Sequence, residues 1–385
     1  MIEQFTLILD KPVQRWAVLV FFSVFTFSNE TVAQVKRARD YGIEFGVLPT
    51  GEKNAITDID GVSVGHKTLI SGTSIRTGVT AILPHQRNLF QEKIPAAIYV
   101  GNGFGKLTGS TQIQELGLIE TPIVLTNTLG VADAMKAVVK YTINQIGNEK
   151  VKSVNAVVGE TNDGYLNDIR GFHVSEIDVR EAITNASHDN VSEGNVGAGT
   201  GTRCFGYKGG IGTASRVLPT KLGGYTVGVI VQSNFGGTLK IGGVPVGKRL
   251  NNYPYREAIE SSDGSCMIVI ATNAPLDARN LKRMAERSML GLARTGGIAS
   301  NGSGDYAIAF STAKENRVPY TSQRVQNYHY LNNDYTSPLF LAVIEATEEA
   351  IINSLFAANS MTGRNGNKAD ALPKQRVLEI ITQEN

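Results

Sequence analysis

The chain has 385 residues, is 42% hydrophobic and 19% charged, and carries 41 glycines. That balance gives a globular protein with a large core and many tight turns, and excludes a disordered or fibrous one. The formal net charge is +2. No basic tract with interleaved aromatics is present, so nucleic acid is not an expected partner.

The elements follow in chain order. Lys11 and Arg15 precede an apolar run from Trp16 to Phe27, and Thr31-Val32-Ala33 ends on a small residue before Gln34. The run falls short of the roughly 20 residues that span a bilayer, and its flanks fit a secretory signal over residues 1–33. The mature protein is therefore expected in the periplasm or outside a bacterial cell, with no membrane attachment once the signal is gone. Short turn-bounded apolar runs at 96–100, 122–125, 153–158, 225–232, 267–271 and 306–310 predict strands. Helical spacing predicts helices over 131–146, 277–292 and 338–358, the last with Glu345, Glu348 and Glu349 facing solvent. The mixture predicts layered α/β structure in one domain, and the lack of strict βαβ alternation argues against a doubly wound sheet.

Five histidines, His66, His85, His173, His188 and His329, stand apart, with no metal-ligand spacing. Gly302-Ser303-Gly304 sits in a loop before a predicted strand, not in the strand-to-helix turn of a nucleophile elbow. Cys204 and Cys266 make no disulfide framework and are expected as small buried residues. The glycine loops at 101–106 and 194–201 lack the phosphate-cradle pattern.

Asp263-Gly264-Ser265-Cys266 carries a different possibility, since a small flexible pair stands directly before a predicted buried strand. A serine so placed can attack the preceding carbonyl, after which its freed α-amine, with an ordinary pKa near 7.7–8.0, can act as base without any histidine. On the residues alone, an ordinary turn is the better account, since Gly-Ser before a strand is common.

Several blocks, in order, weigh against the turn. These are Asn54-Ala-Ile-Thr-Asp-Ile-Asp-Gly-Val-Ser-Val-Gly-His66, Glu193-Gly-Asn-Val-Gly-Ala-Gly-Thr-Gly201, Gly209-Gly-Ile-Gly-Thr-Ala-Ser-Arg216, Val231-Gln-Ser-Asn-Phe-Gly236, Ala271-Thr-Asn-Ala-Pro275, Gly291-Leu-Ala-Arg-Thr-Gly296 and Ala346-Thr-Glu-Glu-Ala350. Together they resemble the family of L-aminopeptidase/D-amidase-esterases and β-peptidyl aminopeptidases. The resemblance covers nearly all of the chain after residue 33. It implies an αββα sandwich with the geometry of N-terminal nucleophile hydrolases but different connectivity. It implies a precursor cut once, between Gly264 and Ser265, into an α chain of residues 34–264 and a β chain of residues 265–385, with such pairs forming homo-oligomers.

The same resemblance places the nucleophile on Ser265 and the oxyanion-hole amide on Asn234. Ser303 and Asp305 match a second serine and its acidic partner, although some relatives carry glutamate at the latter position. Glu160, in Gly159-Glu-Thr-Asn-Asp-Gly-Tyr-Leu-Asn167, matches the carboxylate that receives the substrate ammonium, with Asp163 and Tyr165 near by. Implied substrates are short peptides, amides or esters, and no cofactor or metal is implied. α-L, D and β-amino acid residues stay open as the released group, as does an acyltransferase or a non-catalytic secreted binding protein on the same scaffold.

Overall fold

A computed structural model of the chain describes residues 36–254, 264–321 and 324–384. The expected signal, residues 1–33, and the first residue of the expected α chain, Gln34, lie outside them. Two mixed sheets form the centre. The smaller holds β1 (Ser63–Ser71), β2 (Ile75–Leu83), β4 (Ile123–Asn127) and β5 (Val157–Thr161), in the order β1-β2-β4-β5. The larger runs β3 (Glu92–Gly103), β9 (Gly304–Ser311), β8 (Ser265–Thr272), β7 (Thr226–Asn234), β6 (Gly210–Val217), and β3 also pairs with the short strands Leu118–Ile119 and Val318–Pro319.

Pairing is antiparallel except for β4 with β5 and β8 with β9. Each parallel pair is joined through a helix, α1 (Val131–Ile143) in the first case and α3 (Ala278–Arg294) in the second. Parallel neighbours require such a crossover. Only two pairs have it, which is why the sheet is not doubly wound.

Three hydrophobic clusters define four layers. One lies between the smaller sheet and the helices α1 and α2 (Glu176–Thr184). The second lies between the two sheets, and the third between the larger sheet and the helices α3 and α4 (Ser337–Ala357). This is the expected αββα sandwich. Along β8 the alternation is direct: Cys266, Ile268 and Ile270 face the helices, and Met267, Val269 and Ala271 face the other sheet. Such a strand, apolar on both faces, reads as one continuous hydrophobic run. Both cysteines are buried and unpaired.

Helix boundaries follow local chemistry. Asp277 caps α3 by accepting the Asn280 N–H at 2.9 Å, and Ser175 with Asp178 forms a capping box at the start of α2. The helix expected over 131–146 stops at Ile143, with Asn144 as its cap. The strand expected at 153–158 begins instead at Val157, because the Asn155 N–H is taken by the Glu120 carboxylate rather than by a ladder partner.

One expectation is reversed. Glu345, Glu348 and Glu349 are buried, not solvated. Arg216 of β6, itself fully buried, donates to Glu345 at 3.1 Å and to Glu349 at 2.7 Å. Arg39 adds a 2.7 Å pair to Glu349, and Arg294 lies 3.4 Å from Glu348. Glu345 and Glu349 are four residues apart, so one face of α4 presents both to the strand.

Candidate active site

The strand ends build the site. β7 ends where β8 begins, and their antiparallel register sets Asn234 opposite Ser265. On the other side β9 runs parallel to β8, pairing Ser265 with Gly304. From the smaller sheet, β5 ends near the same edge and carries Glu160. Ser265, Gly264, Asn234 and Glu160 thereby line one cavity of about 410 Å³.

Around Ser265 the contacts converge on one carbonyl. The Ser265 hydroxyl donates to the Gly264 carbonyl oxygen at 2.6 Å. The Gly304 N–H points at that same oxygen (3.2 Å) and at Ser265 Oγ (3.3 Å). Gly264 is required by close approach: a Cβ there would lie 2.4 Å from the Phe235 Cα and 2.7 Å from the Asn234 carbonyl oxygen. Nothing but glycine fits without moving main chain.

Asn234 is held at both ends of its amide. Its Oδ1 accepts the Arg203 N–H at 2.9 Å, and its Nδ2 donates to the Asn162 carbonyl at 3.1 Å. An amide nitrogen carries two hydrogens, so one remains for a ligand in the cavity.

Glu160 is buried with its carboxylate aimed at the cavity wall. Oε1 accepts the Lys106 N–H at 3.0 Å, and Oε2 accepts the Thr128 hydroxyl. The Lys106 ammonium stands 3.8 Å away. Gly105, at a positive φ of 141°, would place a Cβ 2.8 Å from Glu160 Oε1, so the glycine leaves room for the carboxylate. The glycine loop at 101–106 thus serves this carboxylate, not a phosphate.

Ser303 and Asp305 are each only 1% exposed, and neither lines the cavity. Burial pushes the Asp305 carboxyl up to about 6; the Ser303 hydroxyl and the Cys266 N–H hold the rise back, though neither reaches hydrogen-bond geometry. Asp305 is paired with Cys266, the residue after the serine, so the pair sits directly behind the strand start. Of the two further residues near Glu160, Tyr165 lines the cavity and Asp163 does not. Asp163 is buried, accepts the Asn167 amide at 3.0 Å, and is pushed up to about 7 by that burial.

Lys106, Thr128, Arg203 and Gly304 belong to the site geometry and gave no signal of it in the sequence, because main-chain position alone brings them there. Phe104, Phe205 and Phe235 supply an apolar wall. Among the described residues no histidine lines the cavity, and no group of three or more His, Cys, Asp or Glu side chains is placed to hold a metal.

Known proteins share this arrangement of strands and helices. Residues 54–369 match Peptidase family S58, and the chain belongs to that family. It is 41% identical over 379 residues to the β-peptidyl aminopeptidase BapA of Sphingosinicella microcystinivorans, covering 91% of this chain and 92% of the relative. A crystal structure of a protein from Pyrococcus horikoshii OT3 matches with a TM-score of 0.85 and 48% identity, covering 91% of this chain and 100% of that one. The L-aminopeptidase D-Ala-esterase/amidase of Ochrobactrum anthropi matches with a TM-score of 0.84 and 38% identity, over 90% and 98% of the two chains. That structure is described as a new variant among the Ntn hydrolase fold. The chain is thus an enzyme, a peptidase on an Ntn-like αββα scaffold.

Proposed function

We propose that the chain is the precursor of a serine aminopeptidase, which cuts itself between Gly264 and Ser265 and then releases N-terminal residues through an acyl-enzyme on Ser265. The observation that carries this reading is the shared carbonyl: Ser265 Oγ lies against the Gly264 C=O, whose oxygen already receives the Gly304 N–H at 3.2 Å. Attack of Oγ on the Gly264 carbonyl carbon forms an ester, the C–N bond to Ser265 breaks, and the hydroxyl proton passes to the departing nitrogen. Gly304 N–H is aimed at the oxygen where negative charge develops. Water then releases the Gly264 carboxylate and leaves Ser265 with a free amine.

In turnover that amine is the base. It takes the Oγ proton as Oγ attacks the amide carbon of the substrate's first residue, and Asn234 Nδ2 donates to the oxyanion. Glu160 fixes the substrate ammonium by a charge-assisted bond, which sets the register of cleavage. Ser303 and Asp305 lie behind the strand start and orient the new terminus.

Substrates are short peptides, amides or esters. Two of the relatives, one a β-peptidyl aminopeptidase and one an L-aminopeptidase D-Ala-esterase/amidase, support a range that includes β-amino acid residues. Residues 1–33 act as a secretion signal, and the cut chains assemble as oligomers of paired subunits in the periplasm or outside the cell. Turnover of β-homoalanine, L-alanine and D-alanine nitroanilides by the purified protein, with sequencing of its fragments, tests the proposal. An undivided chain in active enzyme, or acyl transfer to ornithine exceeding hydrolysis, overturns it.

A further inference from the structure

One charged side chain in the cavity has no part in the mechanism above. The Arg203 guanidinium lies over the Tyr165 ring, 3.9 Å from its centroid, and both residues line the cavity with Ser265 and Glu160. Among the described residues no carboxylate pairs with it, and its Nε is buried without a hydrogen-bond partner. Stacking holds the plane of the guanidinium on the ring face and leaves its edge donors for a ligand.

Its position along the sheet is fixed by the main chain. Arg203 N–H is bonded to Asn234, at the end of β7, and the next turn is tied to the same strand by Phe205 N–H donating to the Phe235 carbonyl at 2.7 Å. Glu160 is held instead by Lys106, in the chain that leaves β3. The sheet order is β3-β9-β8-β7, so the main-chain segments tied to the two charged residues flank β8, the strand that carries Ser265. Anion, nucleophile and cation line one cavity.

We infer that Arg203 receives the C-terminal carboxylate of the substrate, and that the preferred substrate class is the dipeptide with both ends free. The ammonium lies on Glu160, the single amide over Ser265, and the carboxylate on the Arg203 fork, where planar donors match a carboxylate bidentately. This rests on the peptidase reading above and adds a specificity that a Glu160 anchor alone does not give. A longer peptide or a C-terminal amide brings no anion to that edge.

The test compares kcat/KM for L-Ala-L-Leu and its C-terminal amide, or their β-homoalanyl counterparts, using full-length enzyme. Wild type should favour the free acid by about tenfold to a hundredfold, the range expected for one hydrogen-bonded charge, with most of the gap in KM. R203M should bring the ratio close to one, and R203K, which keeps the charge without the fork, should fall between. Thermal unfolding checks each variant's fold. Should R203M not fold, the wild-type ratio and R203K decide. A wild-type ratio near or below one, or a ratio unmoved in the variants, overturns the role of Arg203. Hydrolysis of none of these compounds nor of alanine nitroanilide is a different result: it overturns the peptidase reading, and this inference with it.

Discussion

Asn234 and Ser265 are register partners across the β7–β8 ladder, so the amide proposed to hold the oxyanion and the proposed nucleophile are placed by one set of backbone hydrogen bonds. N234A leaves that ladder intact and removes the side-chain donor, together with its bonds to the Arg203 N–H and the Asn162 carbonyl. It should lower kcat by about 10²–10³, the usual effect of one oxyanion donor, and lower the thermal midpoint through the two lost bonds. Steady-state kinetics on an alanine nitroanilide measure it; a loss confined to KM would place Asn234 in ground-state binding instead.

S265A should accumulate as an uncut, inactive chain, whereas wild type should yield a fragment beginning Ser-Cys-Met-Ile. G264V should also stall maturation, since its Cβ would meet the Phe235 Cα at 2.4 Å and displace the scissile carbonyl. Denaturing gels and N-terminal sequencing read both outcomes.

E160A should still divide at Gly264–Ser265, because the internal amide offers no ammonium to bind. Turnover of aminoacyl substrates should fall by about tenfold to a hundredfold in kcat/KM, and the preference for free-amine over N-acylated substrates should narrow. Arrested maturation would make Glu160 part of the cutting machinery.

Asp305 gives a pH signature in stability. Its carboxyl goes from an ordinary value of 3.8 to about 6 on burial, so between those values the folded chain holds a proton that the unfolded chain has released. Stability therefore falls as pH rises through this window, and above it a penalty of about 3 kcal/mol persists. D305N in an S265A background carries no such charge. Its thermal midpoint relative to S265A should be higher at pH 8 than at pH 4; an unchanged difference would show that Asp305 is not desolvated.

Removing Arg216 takes from Glu345 its ion-pair partner in the core and leaves Glu349 with Arg39 alone. R216M should cost about 3–5 kcal/mol and prevent accumulation of soluble chain at 37 °C. Pulse proteolysis of the soluble fraction measures it, and wild-type resistance would contradict the buried network.

The strands nearest the site were legible because their apolar runs need no distant partner: 267–271 and 306–310 fall inside observed strands, and 225–232 overlaps one that begins at Thr226. Gly264-Ser265 was legible as chemistry only through family resemblance, since a turn accounts for the same two residues. The glutamates of α4 were misread because helical spacing records which residues share a face, not what lies opposite. Arg216, well over a hundred residues earlier, decides that face. Arg203 and Gly304 act through where a strand pairing sets their main chain, and a linear pattern holds no trace of that.

The order of strands in the larger sheet has a consequence for the separated chains. A cut before Ser265 assigns β8 and β9 to one fragment, yet β7 on one side and β3 on the other belong to the other fragment. The smaller piece would place β8 and β9 between strands of its partner and its Val318–Pro319 strand outside β3, with α3 and α4 roofing both. Neither piece keeps a complete core of its own, so the two would part only by global unfolding. Assembly would then be informed by a continuity that the finished enzyme no longer possesses: heated past its transition and cooled, the divided protein would face a bimolecular search that its uncut parent never met, and its durability would be set by how slowly it opens.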